Sequence, residues 1–150
     1  MRKDALPIEH DSAVSEIAFS RRGRYFVAGF DDGAVRIRRT ADGGKAAEFK
    51  YGTTISKFAF TPDERYLAIS TSMHDRKGDP EDDQTVFVWD VDKNENVIRM
   101  DYQEYIRHIA FDAQGRYLHV ISDGQTAQVL WLPQDMFDEA HLRLSANTPQ

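Results

Sequence analysis

The chain has 150 residues, a formal net charge of −6 at neutral pH and no cysteine. This length fits one domain, and the acidic balance argues against a nucleic-acid or membrane partner. Without cysteine, the chain can form neither disulfides nor thiolate metal sites. No apolar stretch reaches the roughly 20 residues that span a bilayer, and the N-terminus lacks the apolar region of a signal peptide, so we expect a cytoplasmic protein.

A segment of nine residues occurs three times along the chain. It reads IAFSRRGRY at Ile17–Tyr25, FAFTPDERY at Phe58–Tyr66 and IAFDAQGRY at Ile109–Tyr117. The second copy begins 41 residues after the first, and the third begins 51 residues after the second. A repeated unit of about 40–45 residues with four strands is typical of one blade of a β-propeller. The repeats therefore predict an all-β chain.

The first unit, about 11–51, predicts four strands joined by short turns. These strands are Val14–Ser20, Tyr25–Phe30, Ala34–Thr40 and Lys45–Tyr51. The run Asp31-Asp32-Gly33 indicates a tight turn, because glycine adopts a positive φ at low cost. Val35 and Ile37 alternate with arginines, which is the period-two pattern of a strand.

The second unit, about 52–102, repeats this order with an insertion, Ser72–Gln84, between its second and third strands. Its strands are Ile55–Thr61, Tyr66–Ser72, Thr85–Val91 and Glu95–Tyr102. The third unit, about 103–132, has three: Ile106–Phe111, Tyr117–Ser122 and Ala127–Leu132. We expect the N-terminal strand 5–10 to complete this blade, and the tail 133–150 to begin with a short helix at Pro133–Leu144. The whole chain, 1–150, is then a single domain.

These motifs resemble those of WD-repeat β-propellers over residues 5 to 132. The resemblance is carried by a histidine before the first strand, an [IV]-x-F-[ST] strand, a G-[RK]-Y turn and a Trp-Asp pair ending the third strand. It implies a propeller sector of three four-stranded antiparallel blades. Its signature residues here are His10, Phe19, Tyr25, Phe60, Tyr66, Trp89, Asp90, Phe111, Tyr117 and Trp131.

The signature is unequal among the three units. Trp89 and Asp90 form the full pair in the second, Trp131 alone remains in the third, and the first has arginines there. The tail Trp131–Thr148 is similar to the segment after the last repeat of large bacterial proteins that join a nucleotide-hydrolysing switch or a kinase to a WD-repeat sensor. We expect the repeated phenylalanines to be buried, so that truncation to alanine costs about 3–5 kcal/mol.

Three blades leave an open arc, because closed propellers have about four to eight blades. We expect its two bare faces to carry residues of the Val35/Ile37 and Val86/Val88 type. Soluble monomers seldom expose large apolar patches, so the arc predicts a homo-oligomer, with a dimer favoured and a trimer possible.

The insertion is the most singular stretch and supplies the candidate partner-binding residues. These are His74, Asp75, Arg76, Lys77, Asp79, Glu81, Asp82 and Asp83. The loop could contact a basic partner, hold Ca²⁺ through its carboxylates, or be a solvated loop without a ligand. A second group of charges, the six arginines between Arg21 and Arg39, could hold phosphate or an acidic partner, pair with a neighbouring blade, or be plain surface charge.

The chain has no nucleophile elbow, P-loop, dinucleotide motif or metalloprotease motif. We therefore expect no enzymatic activity, no cofactor and no metal. The resemblance implies a non-catalytic protein–protein interaction module that contacts unidentified protein partners through its loops, at the sensor end of a bacterial signalling protein. The alternative is a purely structural piece that closes a ring by self-association.

Overall fold

The computed structural model describes residues 10–72, 84–123 and 127–131. The strands there are β1 (Val14–Phe19), β2 (Tyr25–Phe30), β3 (Ala34–Arg39), β4 (Lys45–Lys50), β5 (Thr54–Phe60), β6 (Tyr66–Ser72), β7 (Gln84–Asp90), β8 (Glu95–Tyr102), β9 (Ile106–Phe111), β10 (Tyr117–Ser122) and β11 (Ala127–Trp131). They form three antiparallel sheets in chain order, β1–β4, β5–β8 and β9–β11. The prediction of an all-β chain with four-stranded sheets is confirmed for the first two units. Strand 5–10 and the helix Pro133–Leu144 lie outside the described residues.

The repeated segment forms the same turn in each sheet. The residue after β1, β5 or β9 accepts the backbone N–H of the tyrosine that opens the next strand. These bonds are Tyr25 to Ser20 at 3.0 Å, Tyr66 to Thr61 at 3.0 Å and Tyr117 to Asp112 at 2.8 Å. The third residue after the capping residue has a positive φ: 75° at Gly23, 65° at Glu64 and 70° at Gly115. We refer to Ser20, Thr61 and Asp112 as the capping residues.

The apolar core lies between the sheets, so each sheet is one blade and each interface is a joint. We call the side of a blade that meets the previous blade its leading face, and the opposite side its trailing face. At the first joint, the trailing face of blade 1 (Val27, Val35, Ile37, Ala47) packs against the leading face of blade 2 (Ile55, Leu67, Ile69, Phe87, Trp89). At the second, Tyr66, Ala68, Val86 and Val88 pack against Ile106, Ile109, Leu118 and Val120.

This arrangement corrects the prediction of which residues lie on the bare faces. Val35, Ile37, Val86 and Val88 all have an exposure of 0% because they lie inside the two joints. Among the described residues, the exposed valine, isoleucine and phenylalanine side chains lie instead on the leading face of blade 1 and the trailing face of blade 3. They are Val14 (55% exposed), Ile17 (51%) and Phe19 (65%) on the former, and Ile121 (40%) and Val129 (54%) on the latter.

The burial expected for Phe19 is therefore wrong. Phe60, at the same position of its repeat, is partly buried because the leading face of blade 2 packs on blade 1. Phe111 is partly buried against blade 2 for the same reason. Phe19 lies on a leading face that has no preceding blade among the described residues, and its ring is 65% exposed. Its centroid lies 6.0 Å from that of Phe26 in the same sheet.

Candidate partner-binding surface

The histidine of the family pattern fixes the turn between β2 and β3. His10 Nε2 lies 3.3 Å from Asp32 Oδ2, and its ring centroid lies 4.0 Å from that of Phe30. The hydrogen bond that the Ala34 N–H donates to Asp32, together with the contacts from His10 and Lys50, holds the pKa of the Asp32 carboxyl below its ordinary value. These contacts give His10 a structural role, at the end of the sheet from which the insertion also leaves.

The connection between blades 1 and 2 passes close to the same turn. Tyr51 N–H donates to the Gly33 carbonyl at 2.8 Å, and Gly33 has φ of 87°. A Cβ at Gly33 would lie 1.9 Å from the Tyr51 carbonyl oxygen, so only glycine fits there. The Tyr51 ring stacks on Phe87 at 4.0 Å and its hydroxyl donates to Asn96 at 2.7 Å. Tyr51 occupies the position where the family has histidine, and it forms an aromatic contact in its place.

The Trp-Asp pair of blade 2 has two separate roles. The Trp89 ring stacks on Phe49 at 3.8 Å, and its indole N–H has no hydrogen-bond partner among the residues that the structure describes. The buried Asp90 carboxylate accepts the backbone N–H groups of Asp92 and Lys93 at 3.0 and 3.1 Å. Trp89 thus packs the joint and Asp90 holds the turn after β7.

A polar cavity of about 270 Å³ lies between blades 1 and 2 at the insertion end. It is lined by Ser15, Asp31, Thr54, Ile55, Ser56 and Ser72. Thr54 donates its hydroxyl to the Asp31 carbonyl at 2.9 Å, whereas the buried Ser15 hydroxyl has no partner in the described ranges. Hydroxyls, a carboxylate and a carbonyl together suit a polar or cationic group of a partner.

The insertion leaves the fold beside this cavity. Its first residue, Ser72, lines the cavity, and its last residue, Gln84, donates to the Ser72 hydroxyl at 3.4 Å. Both residues are buried. The candidate contacts His74, Asp75, Arg76, Lys77, Asp79, Glu81, Asp82 and Asp83 lie outside the described residues. The structure therefore places the base of the insertion at the cavity and gives no geometry for those eight side chains.

Glu64 is a contact that the sequence reading did not identify. Ser20 of blade 1 donates its hydroxyl to Glu64 Oε2, and Arg24 Nε donates to Glu64 Oε1 at 2.8 Å. Burial acts to raise the pKa of the Glu64 carboxyl, but the hydrogen bonds from Ser20 and Arg24 hold it below its ordinary value. The only signal in the sequence was that Glu64 replaces the glycine of the repeated turn.

The arginines of blade 1 lie mainly near the opposite end of the sheet. A groove of about 500 Å³ runs between the turns at 22–25 and 39–41. Arg39 pairs with Asp42 at 3.3 Å, and Arg38, at the family's tryptophan position, is half-buried and donates to the Gly43 carbonyl at 3.4 Å. Arg22 is exposed at the rim of the groove.

Two further properties concern the described part of the chain only. It contains no group of three or more histidine, aspartate or glutamate side chains placed to hold a metal ion. It also contains no helix long and apolar enough to cross a membrane.

Blades of this shape, with a fixed histidine turn and a Trp-Asp pair, define a WD-repeat propeller protein. The model of the family described as "WD domain, G-beta repeat" matches residues 6–38 and 48–90. The chain belongs to this family, and WD-repeat propellers are suited to protein–protein interaction.

The chain is similar to one curated protein and to many solved structures, including the following two. Pre-mRNA-processing factor 19 of Schizosaccharomyces pombe is 26% identical over 117 residues, which are 77% of the chain and 22% of that protein. The β-propeller domain of Cps50 (Swd1) from Myceliophteria thermophila matches with a TM-score of 0.64 at 14% identity, over 81% of the chain and 35% of the domain. The WD40 repeats of RRP9 match with a TM-score of 0.65 at 12% identity, over 85% of the chain and 38% of that structure. The chain thus spans about a fifth of pre-mRNA-processing factor 19 and little more than a third of each of the two solved structures.

Proposed function

We propose that the chain is a non-catalytic protein-interaction module that contacts a partner at the insertion end of blades 1 and 2. The observation that carries this proposal is the polar cavity whose lining includes the first residue of the insertion. Binding residues are often carried by loops that a folded scaffold positions, and a recess beside such a loop can take part in partner recognition. The insertion's carboxylates favour a basic partner segment, and the cavity can take one of its polar side chains.

We also propose that this module is the sensor end of a bacterial signalling protein. The support is the sequence of the tail, Trp131–Thr148, which is similar to the end of such sensors. In that setting the blades would report partner binding to a separate catalytic domain.

The alternative is a structural piece that closes a ring with further copies of itself. The observation that favours it is the exposure of Phe19 and Val129 on faces that, at the internal joints, are covered by another blade. Both functions are compatible, because the polar cavity lies between blades 1 and 2 and away from the trailing face of blade 3.

A pull-down from cell extract tests the interaction function. The tagged chain should retain a second protein in stoichiometric amount, and removal of residues 73–83 should abolish its capture. Thr40→Ala, at the opposite end of blade 1, is the matched control and should bind as the parent chain does. Capture that persists at full level without residues 73–83 would reject the insertion end as the contact site.

A further inference from the structure

The two joints share one contact at the repeated turn. At the first, the third turn residue of the later blade, Glu64, lies on the capping residue of the earlier blade, Ser20. At the second, a Cβ at Gly115 would lie 3.4 Å from Cβ of the capping residue Thr61 and 3.0 Å from Pro62 Cδ. The third turn residue of one blade therefore packs on the capping residue of the blade before it.

Blades 1 and 3 each carry the half of this contact that the other lacks. Gly23 is the third turn residue of blade 1, and a Cβ placed there would meet no atom within 4 Å. Asp112 is the capping residue of blade 3. The exposed Arg22 lies next to the open space at Gly23. The turn of blade 1 is therefore cationic, whereas Asp112, the capping residue that would pack on it, is anionic.

Several apolar side chains on these two blades occupy positions that are covered at the internal joints, although Arg36 and Arg38 lie on the blade 1 face where blade 2 has Phe87 and Trp89. Val14, Ile17 and Phe19 occupy in blade 1 the positions that Ile55, Phe58 and Phe60 occupy on the covered face of blade 2. On blade 3, Val129 pairs with His119 across β10 and β11, and in blade 2 the buried Val88 pairs with Ala68 across β6 and β7. Val129 therefore occupies the position of Val88. These four exposed residues thus have counterparts that pack at the internal joints.

We propose that the trailing face of blade 3 packs on the leading face of blade 1 of a second copy, with Asp112 against the Gly23 turn and Arg22. The occupant is another copy because the complementary apolar faces and the complementary charges both belong to this chain. The contact is head-to-tail, so each copy uses two different faces. Two copies that each use both faces close on each other, so the expected assembly is a dimer. This inference rests on the proposed function only in taking the chain as part of a WD-repeat ring.

A mixing experiment with two face variants tests the joint. Phe19→Glu blocks the leading face of blade 1 and leaves blade 3 intact, whereas Val129→Glu does the reverse. By sedimentation velocity, the parent chain should sediment as two copies and each variant alone at the single-chain mass of 17.2 kDa. An equimolar mixture should form a 1:1 complex of twice that mass, because one intact face of each kind remains. Circular dichroism should show unchanged strand content, since both residues are exposed in the single chain.

Three outcomes would overturn the proposal. The parent chain could stay at the single-chain mass, the variants alone could associate as strongly as the parent, or the mixture could stay at the single-chain mass while the parent associates. The Phe19→Glu chain also separates this proposal from the interaction function, because it can be used as bait in the pull-down. Capture of a foreign protein by a single-chain bait would uphold the interaction function whatever the result at the joint.

A second pair of variants examines the charged contact without disturbing the fold. Asp112→Thr keeps a capping hydroxyl, as Thr61 does in blade 2, but removes the carboxylate. It and Arg22→Ala should each weaken self-association about two- to fivefold, the range for an exposed ion pair. The double variant should be no weaker than either single variant, and Glu95→Gln, an exposed carboxylate on β8, should have no effect. Additive losses in the double variant would overturn the pairing of Asp112 with Arg22.

Discussion

Glu64 of blade 2 accepts a hydrogen bond from the hydroxyl of Ser20 in blade 1, and it does so from a backbone position with φ of 65°. The other two turns have glycine at this position, where a positive φ carries no steric penalty. A glutamate is retained here with a strained backbone because its carboxylate reaches across the joint to Ser20 and Arg24. The contact ties the loop geometry of one blade to the packing of the next.

Glu64→Gln should lower the free energy of unfolding by about 1–3 kcal/mol, because a buried carboxylate that accepts several hydrogen bonds is replaced by a neutral amide. Urea unfolding followed by circular dichroism measures the change. Glu95→Gln is the matched control, since Glu95 is exposed, and it should change stability by less than about 0.5 kcal/mol. Equal stability of the two variants would show that Glu64 does not stabilise the joint.

The same carboxylate should make stability depend on pH. Its pKa is lowered in the folded chain, so its contribution is full above the unfolded pKa of about 4.3 and decreases as the pH falls through the folded value. The stability difference between the parent chain and Glu64→Gln should therefore be largest near neutral pH and should shrink as the pH is lowered below about 4.3. A difference that stays constant over that range would contradict the assigned pKa direction.

Two tyrosine-to-phenylalanine changes should have opposite effects. The Tyr66 hydroxyl is buried and has no hydrogen-bond partner among the described residues, and burial raises its pKa to about 12. Tyr66→Phe should therefore leave stability unchanged or raise it by up to about 1 kcal/mol. Tyr51→Phe removes the bond to Asn96 and should cost about 0.5–1.5 kcal/mol. A larger loss for Tyr66→Phe than for Tyr51→Phe would show that the Tyr66 hydroxyl is satisfied in solution.

Phe60 and Phe19 occupy the same position of the repeat but should differ in their effect on stability. Phe60→Ala removes a ring from the first joint and should cost about 2–4 kcal/mol. Phe19→Ala should cost less than about 1 kcal/mol when measured on dilute single chains, because the ring is already exposed. Thermal unfolding at low protein concentration provides both values, and equal losses would contradict the assignment of blade 1 as an open end.

The sequence predicted each described strand to within one residue, because the same apolar pattern and the same capped turn occur three times. It did not predict which side of each blade is covered, since alternation along β3 separates two faces without saying which one meets the next blade. Val35 and Phe19 were assigned to the wrong environments for this reason. Whether a face is covered or exposed depends on whether another blade packs on it, and only the tertiary structure shows this.

The eight candidate contact residues of the insertion lie outside the described residues, so the site predicted from the sequence stays a prediction. The longer spacing between the second and third repeats identified the insertion, and the structure adds the cavity at its base. Ser15, Asp31 and Thr54 come from two blades and are distant in sequence, so no local pattern brings them together. Glu64 was overlooked because a single substitution within a turn motif does not indicate the neighbour that it contacts.

Sedimentation of the parent chain over a range of micromolar concentrations tests most directly the claim that this is an open sector whose end faces pack on further blades. If the end faces pack on further blades, a species heavier than the 17.2 kDa single chain should become dominant as concentration rises. A stable, monodisperse species at the single-chain mass at every concentration would contradict it.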